Sequence, residues 1–199
     1  MGMMRLLLLG VTKLSRNVTV SVEPRPIKNR FSVNIALISI FSALWVVLNL
    51  TVAPISFRLT GLPVIHSVVI FFILFLVIWA TSQYGAVSLV GIIGSAIVLL
   101  SGGPLPVIGF ILAAIIFDLV FLVNHHRFNF KPANVGVAVF ATVAAAFSAS
   151  ILNFVLVSPA FALIVWAGLV IIGGIIGMFI SLPIIGILEK AQVKRVKTD

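Results

Sequence analysis

The run Val64-Ile65-His66-Ser67-Val68-Val69-Ile70-Phe71-Phe72-Ile73-Leu74-Phe75-Leu76-Val77-Ile78-Trp79-Ala80 decides how this chain folds. It holds no Lys, Arg, Asp or Glu, and its polar residues His66 and Ser67 stand together at its start. Its length falls at the lower end of the roughly 17–25 apolar residues that a helix needs to cross a bilayer. No polar–apolar alternation runs through it, which excludes a barrel strand. A lipid-exposed backbone must satisfy its own hydrogen bonds, and an α-helix is what remains.

Working outward, the same reading yields six apolar runs, at about 34–53, 64–80, 85–100, 106–123, 135–157 and 161–188. The expected fold class is an all-α membrane protein with six transmembrane helices. Residues 1–32 and 189–199 are expected as basic tails and 33–188 as the membrane domain. Pro54 and Pro63 bracket a first outer loop; Ser82-Gln83-Tyr84-Gly85 and Ser101-Gly102-Gly103-Pro104 read as tight turns, and Ser158-Pro159 as the last hairpin. Near the N-terminus, Val18, Val20 and Val22 alternate with polar residues and could pair as a short strand.

Composition agrees. Of 199 residues, 62% are hydrophobic and 9% charged, against about 45–50% and about 25% in soluble domains. That excludes a soluble enzyme fold and a disordered chain. With no cysteine, thiol redox chemistry and thiolate metal sites are excluded too. The net charge of +9 is topological. Placing both termini in the cytoplasm puts every Lys and Arg inside except Arg58, the asymmetry that orients multi-pass proteins. Nucleic-acid binding is not expected.

Polar groups within spans are costly and therefore informative. Asp118 stands towards the inner end of the fourth run, with two readings: pairing with Arg127 or Lys131, or a ligand or proton role. His66 is either an interfacial, hydrogen-bonded histidine or a substrate contact. Arg58, in Ser56-Phe57-Arg58-Leu59-Thr60-Gly61, is either a solvated loop charge or part of a lid over an outward pocket. Asn49 and Asn153 either bridge helices or bind substrate. Trp45 and Trp166 either anchor and pack or stack on a flat ligand, and Trp79 reads as a belt residue. Small residues recur at spacing four in Ser39/Ala43, Gly91/Ser95 and Gly173/Gly177, which suits close helix packing and leaves partner docking open. Halving the chain aligns Leu89–Gly94 loosely with Ile172–Gly177, the pattern of an inverted repeat.

The chain has no P-loop, no His-Glu-x-x-His, no Gly-x-Ser-x-Gly and no pair of intramembrane carboxylates. An enzyme is not expected, nor a metal or other cofactor. Ion-coupled carriers usually hold several intramembrane acidic groups, and this one offers a single Asp. A transport role would then draw its energy from another polypeptide.

Over residues 33–188 the chain resembles the substrate-binding S components of energy-coupling factor (ECF) vitamin transporters. The likeness lies in six spans with both ends inside, a first span reading Ala36-Leu37-Ile38-Ser39-Ile40-Phe41-Ser42-Ala43, and an outer loop from Pro54 to Pro63. It extends to the link Ser101-Gly102-Gly103-Pro104-Leu105-Pro106 before Gly109-Phe110-Ile111-Leu112-Ala113-Ala114. The resemblance implies a subunit of a prokaryotic plasma membrane that captures a vitamin, vitamin precursor or similar micronutrient from outside. It would deliver it through a separate transmembrane coupling protein carrying two ATPases. The family's alanine pairs on its first and third helices contact the coupling protein. Here Ser39/Ala43 and Gly91/Ser95 hold those places, small but not alanine pairs. By location in an outer pocket, the resemblance carries over Arg58, Asn153 and Trp166. Two other classes stay open, a self-contained carrier or pore and a non-transporting membrane scaffold. The few charges within the spans favour a flat, weakly polar heterocycle as cargo.

Overall fold

The computed structural model describes residues 30–60, 64–81, 83–123, 132–157 and 162–191. The regular elements there are all helices: α1 Arg30–Thr60, α2 Val64–Thr81, α3 Ala86–Leu100, α4 Val107–Leu122, α5 Pro132–Val157 and α6 Ala162–Lys190. Each stands on one of the expected apolar runs, and the chain is an all-α, multi-pass membrane protein. The alternating valines near the N-terminus, residues 124–131 and the Ser158-Pro159 hairpin lie outside the described residues.

The helices differ in reach. α1, α2, α5 and α6 each contain an apolar stretch long enough to cross a membrane. α3 and α4 have 15 and 16 residues, or about 22–24 Å at 1.5 Å per residue, less than the roughly 30 Å hydrocarbon layer. A turn drawn towards the hydrocarbon layer by such short helices cannot leave N–H groups free without cost. It leaves few. Ser101, Gly102 and Gly103 donate to the carbonyls of Ile97, Leu99 and Val98, and Val107, Ile108 and Gly109 donate to Pro104, Leu105 and Pro106. Pro104 and Pro106 have no N–H to satisfy. Gly102, at φ 77°, is the left-handed residue of this Schellman cap and Gly103 the next.

Helices α2 to α6 close a ring in which sequence neighbours pack together from α2 to α6 and α6 returns to α2. The returning contact is close. A methyl group on Gly173 would lie 2.6 Å from the Val64 carbonyl oxygen, and one on Gly177 would strike that of Val68. The spacing-four glycines thus let two backbones meet. Across the ring, Phe71 and Phe75 of α2 interleave with Phe117 and Phe121 of α4. The Phe75–Phe117 pair is edge-to-face at 4.9 Å, a favoured aromatic geometry. At the inner end, Trp79 Nε1 donates to Glu189 Oε1 at 3.1 Å. Trp79 is buried, so the belt position expected for it is corrected to a tie between α2 and α6.

α1 stands apart from this ring. Only 17% of its apolar window is buried, against 67% for α2. Its anchor is Trp45, fully buried, whose indole Cδ1 lies 2.5 Å from where a methyl on Gly94 of α3 would be. Beyond the anchor, α1 continues through Pro54 to Thr60. The expected outer loop from Pro54 to Pro63 is corrected: Pro54 is helical, and only residues 61–63 lie between α1 and α2. Proline removes one helical N–H without forbidding helical φ, and local adjustment within the membrane absorbs the loss.

Candidate functional site

The end of the bundle that the charge asymmetry places outside gathers polar side chains from α2 and α5 around one step of α4. His66, in the first turn of α2, is buried, and its ring meets Phe110 of α4 edge-on at 5.1 Å. Asn153 of α5 is buried against Gly109, where an added methyl would lie 2.6 Å from Asn153 Oδ1. Consecutive α4 residues thus hold the histidine on one side and the asparagine on the other. His66 Nδ1 and Asn153 Oδ1 have no hydrogen-bond partner among the described residues. Buried polar groups are rarely left so. The His66 ring lies against Phe110, and Asn153 lies against Gly109.

The remaining candidates fall elsewhere. Trp166 of α6 is half-buried and packs against the core. Arg58 is exposed in the last turn of α1, where a cation complements the helix dipole. It belongs to a helix end, which corrects the loop placement that both of its readings, solvated charge and lid, assumed. Trp45 is wedged on Gly94 with its faces covered, which fits the packing reading of this residue and not the stacking one. Asn49 is buried and donates through Nδ2 to the Trp45 carbonyl at 2.9 Å.

Asp118 lies in the other half of α4 and has a structural task. Its Oδ2 accepts from Ser88 Oγ at 2.8 Å and from the Ser88 backbone N–H at 3.3 Å. Ser88 is in the first turn of α3, which starts from Gly85 at φ 82° without a side-chain cap of its own. First-turn N–H groups have no helical acceptor, so Asp118 supplies the cap from a neighbouring helix. The positive end of the α3 dipole favours its carboxylate. Arg127 and Lys131, its expected partners, lie outside the described residues. Sequence reasoning missed Ser88, although its place just after a turn glycine marks a helix start.

The two pairs expected to dock a partner separate. Ser39 and Ala43 are exposed on α1. Gly91 and Ser95 are buried, and a methyl on Gly91 would collide with Ala114 Cβ of α4. The docking role expected of the second pair is corrected to packing inside the chain. An apolar groove of about 590 Å³ between α4 and α5 is lined by Ile116, Leu119, Val120, Val123, Val137 and Phe140. It lies away from the His66–Asn153 step and presents no polar side chain. Comparison with protein-family models, curated proteins and solved structures gives no match for this chain.

Proposed function

We propose that this protein is the substrate-capture subunit of an importer of the energy-coupling factor type, working in a prokaryotic plasma membrane. It binds a vitamin, vitamin precursor or similar small micronutrient from outside. A separate transmembrane coupling protein and two ATPases drive delivery to the inside. The observation that carries this reading is the pair of buried polar atoms, His66 Nδ1 and Asn153 Oδ1, which have no partner among the described residues and stand against the consecutive α4 residues Phe110 and Gly109. An amide oxygen that accepts and an imidazole nitrogen that donates or accepts according to its tautomer, with an aromatic ring beside it, suit a flat, weakly polar heterocycle.

Two features support a motor on another chain. Asp118 is engaged as the cap of α3, which argues against a coupling-ion carboxylate. α1 presents Ser39 and Ala43 on an exposed face, where a partner helix could approach closely.

The test is native mass spectrometry of the purified protein together with uptake assays in liposomes. A co-purified small molecule, weakened by His66→Ala or Asn153→Ala, and no uptake by the chain alone are the expected results. Accumulation of a solute against its gradient in liposomes holding only this chain would overturn the reading.

A further inference from the structure

Helices α4 and α5 touch towards one end and leave room towards the other. Near the end that the charge asymmetry places outside, a methyl group on Gly109 of α4 would lie 2.7 Å from the carbonyl oxygen of Ala149 on α5. Towards the inner end, a methyl on Gly136 of α5 would meet nothing within 4 Å. The apolar groove of about 590 Å³ stands there, walled by the last two turns of α4 and the second and third turns of α5. Its volume is that of a ligand site, which typically holds roughly 300–1,000 Å³.

The walls restrict what fits. No side chain that lines the groove can donate or accept a hydrogen bond, so a polar solute finds no side-chain partner in it. The rim is bulky: Leu119, Val123 and Phe140 line the groove and are all exposed. Close approach of a partner helix calls for small residues instead. A polymethylene chain is slim enough to lie between such side chains, and the bilayer around the helices supplies it.

The sequence adds a charge to this end. Asn124-His125-His126-Arg127-Phe128-Asn129-Phe130-Lys131 joins the two walls and holds two cations and no Asp or Glu. Lys131 is bonded to Pro132, the first residue of α5. Arg127 is four residues from Val123, which keeps its Cα within about 15 Å of that wall at 3.8 Å per residue. The carboxylate of α4 does not offset them, because Asp118 Oδ2 is engaged by Ser88 of α3.

We propose that this groove binds one anionic phospholipid of the inner leaflet, with an acyl chain between α4 and α5 and its headgroup drawn to the charge of Arg127 and Lys131. Basic positions between helices on the cytoplasmic side attract anionic headgroups, each Lys or Arg strengthening binding by about fivefold. The site stands on the α4–α5 groove and does not depend on the importer reading.

The test is native mass spectrometry of the full chain, stripped of lipid in detergent and then given dioleoyl phosphatidylglycerol and dioleoyl phosphatidylcholine in equal amounts. One phosphatidylglycerol should remain bound, preferred over phosphatidylcholine by at least about fivefold. Gly136→Leu puts a side chain into the groove and should lose that lipid, while Gly168→Leu, which also starts from open space but on α6, should keep it. Arg127→Gln combined with Lys131→Gln changes no residue of a helix and should abolish the preference, a readout that holds even where Gly136→Leu fails to fold. Equal retention of the two lipids by the native chain, or a preference undiminished in the double glutamine variant, overturns the proposal. So does a phosphatidylglycerol complex that survives in folded Gly136→Leu. A native dimer that Gly136→Leu dissociates overturns it as well, since a second copy of the chain then fills the groove.

Discussion

Asp118 Oδ2 and Ser88 join two short helices at the uncapped start of α3: the carboxylate of α4 receives both the hydroxyl and the backbone N–H of Ser88 in the first turn of α3. The carboxylate of α4 is therefore spent on assembly of the α3–α4 hairpin.

Replacing Asp118 separates assembly from function. Asp118→Asn keeps an acceptor for Ser88 and loses only the attraction between charge and dipole, which costs about 0.3–1 kcal/mol. Asp118→Leu leaves the helix start uncapped and should cost about 1.5–3 kcal/mol, the usual worth of a hydrogen bond to a charged group. Thermal unfolding in detergent should rank native, Asn and Leu in that order, with ligand affinity unchanged in the Asn variant. Lost affinity at native stability would return Asp118 to the binding site.

The glycines of α6 make a sharper contrast. A side chain at Gly173 or Gly177 meets a backbone carbonyl of α2, while Gly168 has open space around it. Gly173→Ala and Gly177→Ala should therefore destabilise by about 1–3 kcal/mol through overpacking. Gly168→Ala should be neutral or stabilising by up to about 1 kcal/mol, because alanine is the better helix former. Urea unfolding in mixed micelles reads the difference. Equal effects at Gly168 and Gly177 would mean that α2 and α6 do not meet through these glycines.

The positions of the helices were legible in the sequence, and the directions in which they face were not. In water, a helix shows its buried side because the other side is polar. In lipid, the outer face is as apolar as the core, so Gly91, buried on α3 against α4, and Ala43, exposed on α1, read alike. Polar residues escape this degeneracy. His66, Asn49, Asn153 and Asp118 were all picked out by their cost in the membrane, and all four are buried. Partners were harder, since the Ser88–Asp118 bond spans 30 residues and depends on how α3 and α4 close their hairpin. The helical course of Arg58 was hidden for another reason. Pro54 punctuates a sequence strongly in solution, yet within a membrane helix the loss of one N–H is tolerated.

The hairpin turn gives a test of the short spans. Gly102 holds φ 77°, and a methyl on Gly103 would clash with Val98. Gly102→Ala should cost about 1 kcal/mol through its left-handed backbone. Gly103→Ala should cost more, because it breaks the cap that satisfies the carbonyl of Val98. Unfolding midpoints of the two variants, measured beside that of Gly136→Ala, which meets nothing within 4 Å, establish the order. A Gly103 variant as stable as the Gly136 one would mean that the turn is not closed by this cap.

Small residues on α1 and α3 separate docking from packing. Ser39→Leu and Ala43→Leu enlarge an exposed face, so folding and ligand binding should stay within about 0.5 kcal/mol of native, as surface substitutions usually do. Under the importer reading these variants should lose coupled uptake, because a bulky side chain holds the partner helix away. Gly91→Leu should instead fail at assembly, since its side chain meets Ala114 within the ring. Monodispersity on size exclusion, ligand affinity and uptake in cells, measured on all three, distinguish the outcomes. If Ser39→Leu and Ala43→Leu both leave uptake intact while the protein remains folded, that face of α1 touches lipid alone, and a coupling partner must approach another helix.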